Sequence, residues 1–281
     1  MAERPYAFSC QGMTIRGILH EPDGGGRGAD VILFHGWGGY RVGQNGLLVQ
    51  AARRFCREGF RVLRFDFRGR GESDGRVEEH DLNSMIEDAK AALEHVRQKL
   101  GAKRVFAGGI CSGGEVAVGT LYDGEQWDGV MLWSAPVFSA EATAARKLRK
   151  SLSYLGAYVR KLFLRETWAK LFAGRIRFDI IRRVLLGGSV HEKKEGERAE
   201  MSRSDVLPGR CPHVLLIYGT ADPIANEAID AYTELFTRSG AKVKLHRVQG
   251  ANHGFYGYRW QQEVIAESAR WLVERTAEQG Q

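Results

Sequence analysis

Apolar residues are distributed along this chain in two alternating patterns. Short, nearly continuous apolar stretches recur: ADVILFHG (29–36), FRVLRFDF (60–67), RVFAGG (104–109), GVMLWSA (129–135) and CPHVLLIYG (211–219). Their length and their β-branched and aromatic content predict strands buried on both faces. Between them lie segments with apolar residues at helical spacing. Leu48, Ala51, Ala52 and Phe55 mark a helix over Leu47–Arg57, stopped by Gly59. Ser84 and Glu87 predict a capping box for a second, Met85–Leu100, which ends at Gly101 and carries His95 as a packed or solvated residue. Tyr6 to His20 reads as two strands joined near Gln11-Gly12, the second alternating as MTIRGILH. Late in the chain a helix over Ile224–Arg238, a strand KVKLHRV and a helix from about Trp260 to Glu278 complete the series.

Strand and helix in alternation predict an α/β fold, a mostly parallel sheet with helices on both faces. The alternation breaks once. From Phe138 to Ser204 only helical patterns occur, with Tyr154, Tyr158, Phe163, Trp168 and Phe172 interleaved with Arg and Lys. An inserted helical cap is expected there, so that 1–137 and 205–281 form the core and 138–204 the cap. The cap's aromatics at helical spacing fit a contact with the core better than a ligand pocket.

Composition narrows the class. With 281 residues, 43% hydrophobic and 27% charged, the chain suits one large soluble α/β domain with an insertion. No apolar run reaches a membrane-spanning length, and MAERPYAFSCQG has no apolar core of a secretory signal. The four cysteines, Cys10, Cys56, Cys111 and Cys211, are scattered without a C-x-x-C pair, so the expected compartment is a reducing cytoplasm. The net charge of +7 is concentrated in the insertion, where 16 Lys and Arg stand against 7 Asp and Glu between Glu141 and Arg203. That excess suits an anionic ligand or a membrane surface; a plain solvated basic face accounts for it equally well. No nucleic-acid partner is expected.

The chemistry concentrates in loops that follow strands. In GGICSGG (108–114) a strand reverses into a helix, and such a turn requires small residues two positions before and after its apex. Cys111, between Gly109 and Gly113, meets that requirement. Ser112, with β-branched Ile110 at its −2 position, does not. Two readings stay open: an exposed thiol nucleophile, or a Gly-rich turn with a small buried hydrophobe. HGWGG (35–39) is a second Gly-rich loop, in which the Trp37 N–H, with the Ser112 N–H, forms an oxyanion hole or else belongs to an ordinary turn. His35 reads as a loop brace. Asp66 and Ser73 read as side chains that tie the FDFRGRGESDG loop together through backbone hydrogen bonds.

Asp222 follows the CPHVLLIYG strand, and His253 follows KVKLHRV in a glycine-flanked loop. In a parallel sheet such loops share one edge. A histidine can take the proton of a thiol while a carboxylate on its other ring nitrogen fixes the tautomer. Cys111, Asp222 and His253 stand in the order nucleophile, acid, histidine.

With these residues in view, the chain resembles the α/β-hydrolases, in particular the group containing serine aminopeptidases, monoacylglycerol lipases and cinnamoyl or feruloyl esterases. HGWGG (35–39), FDFRGRGESDG (65–75), GGICSGG (108–114), GTADP (219–223) and GANHGF (250–255) carry the resemblance. It implies Cys111 as nucleophile, Asp222 as acid, His253 as base, and Trp37 and Ser112 as oxyanion donors. Most of that group has serine at the elbow; the dienelactone hydrolases are similar in using a Cys–His–Asp triad. The Trp168-Ala169-Lys170-Leu171 stretch is weakly similar to exosortase-system-associated hydrolases. The expected activity is hydrolysis of a small-molecule carboxylic ester or thioester through an acyl-enzyme, with no metal or organic cofactor required. Acyl transfer through the same thioester, and a non-catalytic binding or membrane-surface role, are the rival readings.

Overall fold

The computed structural model describes residues 1–24, 26–138, 207 and 209–277. The helical cap expected over 138–204 therefore lies, beyond Phe138, outside the described residues.

Eight strands form one sheet: β1 (Ala2–Cys10), β2 (Met13–Glu21), β3 (Ala29–Phe34), β4 (Arg61–Phe65), β5 (Arg104–Ile110), β6 (Gly129–Trp133), β7 (His213–Gly219) and β8 (Lys242–Val248). Their spatial order is β1-β2-β4-β3-β5-β6-β7-β8. From β4 to β8 all neighbours are parallel; β2 is antiparallel to β1 and β4. The β1–β2 hairpin turns on Gln11 (φ 50) and Gly12 (φ 78), the two positive φ values that match the strand twist.

Five α-helices follow among the described residues: α1 (Leu47–Arg57), α2 (Leu82–Leu100), α3 (Ser112–Tyr122), α4 (Ala225–Arg238) and α5 (Tyr258–Ala277). The continuous apolar strands feed two cores by simple alternation. In β3, Ile32 and Phe34 face the layer containing α2, α3 and α4, while Val31 and Leu33 face α1 and α5. In β7, Val214, Leu216 and Tyr218 face the first layer, and Leu215 and Ile217 the second. Both faces are buried, which is why these strands read as unbroken hydrophobic runs.

The order of strands also locates the site. After β3 the chain steps to β4 on one side and then crosses back to β5 on the other. Right-handed crossovers put α1 and α2 on opposite faces. In sheets of this kind ligands bind at the point where the order reverses, which here lies between the carboxyl ends of β3 and β5. HGWGG and GGICSGG are the two loops that leave those ends.

One boundary differs from the sequence-based expectation. α2 begins at Leu82, with Asp81 as N-cap: the Asp81 carboxylate accepts the Ser84 N–H at 2.8 Å and the Ser84 hydroxyl accepts the Asp81 N–H at 2.9 Å. Ser84 is thus the third helical residue of the box rather than its cap. Leu82 is itself buried and starts the first turn, and Glu87 instead approaches Arg68 at 3.4 Å.

Candidate active site

The elbow is built from glycine because the backbone passes too close to itself for any side chain. A Cβ on Gly109 would lie 2.3 Å from the Gly113 carbonyl, and one on Gly113 would lie 2.4 Å from the Phe34 carbonyl oxygen. Between them Cys111 adopts φ 53, ψ −129, a conformation that costs a non-glycine residue about 1–3 kcal/mol. Its N–H is held by the Trp133 carbonyl of β6 at 2.9 Å. α3 starts immediately afterwards, so the Ser112 N–H sits in the first turn with no intrahelical acceptor. The Cys111 side chain is half-buried and its thiol is free of disulfide; Cys10, Cys56 and Cys211 are buried thiols.

Two loops at the β7 and β8 ends present the acid and the imidazole. The Thr220 N–H donates to the Val248 carbonyl at 3.0 Å, the Ala221 N–H to the Ala251 carbonyl at 3.0 Å, and the Gly250 N–H to the Thr220 hydroxyl at 2.8 Å. These bonds lock the loops together. Asp222 is buried; its Oδ1 accepts the Ile224 N–H at 3.2 Å and its Oδ2 lies 3.0 Å from His253 Nδ1. The His253 imidazole is pushed up to about 9, chiefly by its hydrogen bond with Cys111, which outweighs burial, and then by the Asp222 carboxylate. The structure thus brings together Cys111, Asp222 and His253 from three loops, with the imidazole between thiol and carboxylate. Such an array can pass a proton between sulfur and nitrogen.

The HGWGG loop faces the elbow through Gly36, where a Cβ would stand 3.3 Å from Cys111 Cβ. His35 braces the loop: Nδ1–H donates to the Gly36 carbonyl at 2.8 Å, and Nε2 accepts the Phe67 N–H at 3.2 Å. Burial lowers its pKa to about 4, so it stays neutral as that pattern requires. Trp37 is half-buried, its indole 5.0 Å from the His80 ring. His80 in turn hydrogen-bonds the Arg68 carbonyl at 3.2 Å and is held neutral by burial, with a pKa of about 4.

Asp66 is the hub of the next loop. Its carboxylate accepts the backbone N–H groups of Arg41 (2.6 Å) and Glu72 (3.0 Å) and pairs with the Arg41 guanidinium, while the Ser73 hydroxyl donates to the Asp66 carbonyl at 2.6 Å. Asp66 and Ser73 are thus structural ties. Arg41 and His80 had no motif to mark them in the sequence, because their roles depend on neighbours distant along the chain. Among the described residues no group of three or more His, Cys, Asp or Glu side chains could hold a metal ion, and no helix is long and apolar enough to cross a membrane.

Comparison with known proteins agrees with this architecture. Residues 27–183, more than half of the chain, match the family Hydrolase_4, described as serine aminopeptidase, S33. The quorum-quenching protein AidA of Acinetobacter baumannii is 37% identical over 87 residues, covering 30% of this chain and 28% of AidA. The AB hydrolase superfamily protein YisY of Bacillus subtilis is 27% identical over 129 residues, 44% of this chain and 45% of YisY. The chain thus spans less than half the length of either relative. Est1E of Butyrivibrio proteoclasticus, solved with ferulic acid bound, superposes with a TM-score of 0.64 at 15% identity, over 97% of this chain and 99% of Est1E. A doubly covered sheet, a strained turn after β5 and a family match reaching from before β3 past that turn lead to one assignment: the chain belongs to the serine aminopeptidase S33 family of α/β hydrolases.

Proposed function

We propose that this protein hydrolyses small-molecule carboxylic esters or thioesters through a covalent acyl-enzyme on Cys111. The observation that carries the reading is the array of a strained, half-buried Cys111 and a His253 ring bound to Asp222 at 3.0 Å, its pKa raised to about 9 by the thiol contact.

In the reaction Cys111 Sγ, its proton held by His253, attacks the carbonyl carbon and forms a C–S bond. The carbonyl oxygen gains the negative charge and is held by the N–H groups of Trp37 and Ser112. Collapse breaks the bond to the leaving group, whose oxygen or sulfur takes the proton from His253. Water then gives a proton to His253 and attacks the thioester carbon; collapse breaks the C–S bond, releases the acid and restores Cys111 with its proton on His253. Asp222 accepts the Nδ1 proton of His253 and so holds the ring in the tautomer whose other nitrogen faces sulfur, free to take up and give back the mobile proton. The basic composition of Glu141–Arg203 supports an anionic group on the substrate, and the aromatic acid bound by Est1E supports including aromatic acyl groups in the test.

The test uses p-nitrophenyl esters and acyl thioesters, following product release and intact mass in the wild type, Cys111→Ala and Cys111→Ser. Turnover in the wild type and its loss in Cys111→Ala, by roughly 1,000-fold or more, is the expected result. Acylation without turnover would shift the assignment to acyl transfer. Absence of both, with ordinary alkylation rates at Cys111, would leave a non-catalytic binding protein.

A further inference from the structure

The residue after the elbow carries an unused polar group. Ser112 is 3% exposed, and its hydroxyl oxygen finds no hydrogen-bond partner among the described residues. Leaving a buried hydroxyl unpaired costs about 1–3 kcal/mol. No local structure recovers that cost, since Ser112 is the first residue of α3 and caps nothing.

Its position is specific. A Cβ on Gly36 would stand 3.9 Å from Ser112 Oγ and 3.3 Å from Cys111 Cβ, so the hydroxyl lies at the seam where HGWGG meets the elbow. The two backbone donors of the site flank the same seam: the Trp37 N–H follows Gly36, and the Ser112 N–H belongs to the hydroxyl's own residue. Among the described residues the hydroxyl has no acceptor.

We propose that the Ser112 hydroxyl is a third donor to the oxyanion, a side-chain complement to the two N–H groups that is engaged only during reaction. This rests on the acyl-enzyme reading. A donor satisfied in the transition state and orphaned in the ground state lowers the barrier on both counts, because its desolvation has already been met by folding. The hydroxyl keeps its proton throughout; it supplies a hydrogen bond and no bond is exchanged.

Ser112→Ala keeps the backbone N–H and removes only the hydroxyl. Three readouts separate the roles this side chain could have: ester or thioester turnover, the rate of Cys111 alkylation by iodoacetamide, and the Tm. Alkylation is a displacement at sp3 carbon and develops no oxyanion. The expected result is a fall in kcat of roughly 100- to 1,000-fold, an unchanged KM and alkylation rate, and a Tm equal to or above that of the wild type because an unpaired buried hydroxyl is gone. Ser112→Gly provides a second background lacking the hydroxyl and should show the same kcat loss.

Turnover equal to the wild type in Ser112→Ala would overturn the proposal while leaving Cys111 as nucleophile. Equal losses in alkylation and turnover would overturn it in favour of an effect on the thiol, and a lowered Tm with parallel losses in favour of packing. If turnover survives in Cys111→Ala, the acyl-enzyme reading falls and takes this one with it.

Discussion

At the scale of single residues, the site is a question of which groups hold protons. His253 binds its proton more tightly in the folded protein than its ordinary value near 6.5, because Cys111 and Asp222 both favour the imidazolium. The sign follows directly. A raised pKa means the interaction contributes stability fully below about pH 6.5 and loses it as pH rises through about 9. NMR titration of the His253 ring is expected to give a midpoint near 9 in the wild type, lower in Asp222→Asn and lowest in Cys111→Ala, in the order of their contributions. A wild-type midpoint near 6.5 would sink this electrostatic account. The buried histidines His35 and His80 go the other way, to about 4, since burial dominates, with the Arg70 charge adding to it at His80. Cys111, Asp222 and His253 stood out as candidates in the sequence because each follows a strand and two are flanked by glycine, and the structure brings the three side chains together. The partnership of Trp37 with His80 did not stand out, since nothing in the 42 intervening residues marks it.

At the scale of elements, the strand–turn–helix unit of β5 and α3 depends on glycines for clearance. Gly109→Ala and Gly113→Ala each force a methyl against backbone within 2.4 Å, and a backbone clash has no side chain that can move aside. Each is expected to cost about 1–3 kcal/mol and to abolish enhanced reactivity at Cys111. Gly38→Ala, where a methyl meets nothing within 4 Å, is the control and should leave Tm within a degree or so of the wild type. Thermal melts with cysteine alkylation decide it; tolerance of alanine at position 109 would contradict the packing described. Most elements were legible from apolar periodicity, with α1 matching its expected bounds at Leu47–Arg57. The body and end of α2 were legible too, closing at Leu100 before Gly101, but its start was not: the helix begins at Leu82 with Asp81 as cap, and Ser84 is the third helical residue.

Across the whole molecule, two cores clamp the sheet. Leu132 lies in the larger-numbered half of the sheet on the α2–α3–α4 side, one residue before Trp133, whose carbonyl holds the Cys111 N–H and whose indole donates to Ser268 of α5 at 3.1 Å. Leu132→Ala is expected to cost about 2–5 kcal/mol through the cavity it leaves, lowering Tm without changing Cys111 alkylation well below the transition. A Tm unchanged by that truncation would argue against a close-packed layer there. The alternation of strands and helices by itself determined the α/β class, the parallel sheet and the loops that carry chemistry, because burial on both faces writes continuous apolar runs and helical stripes directly into residue order. Strand order, and with it which of the loops along the shared sheet edge stand side by side, was decided only by the tertiary structure. So were the particular partners through which His35 and Asp66, already readable as loop ties, act, and the Ser112 hydroxyl left without a partner among the described residues. Hydrogen bonds and burial depend on distances between residues far apart in sequence, and periodicity along one chain carries no record of those distances.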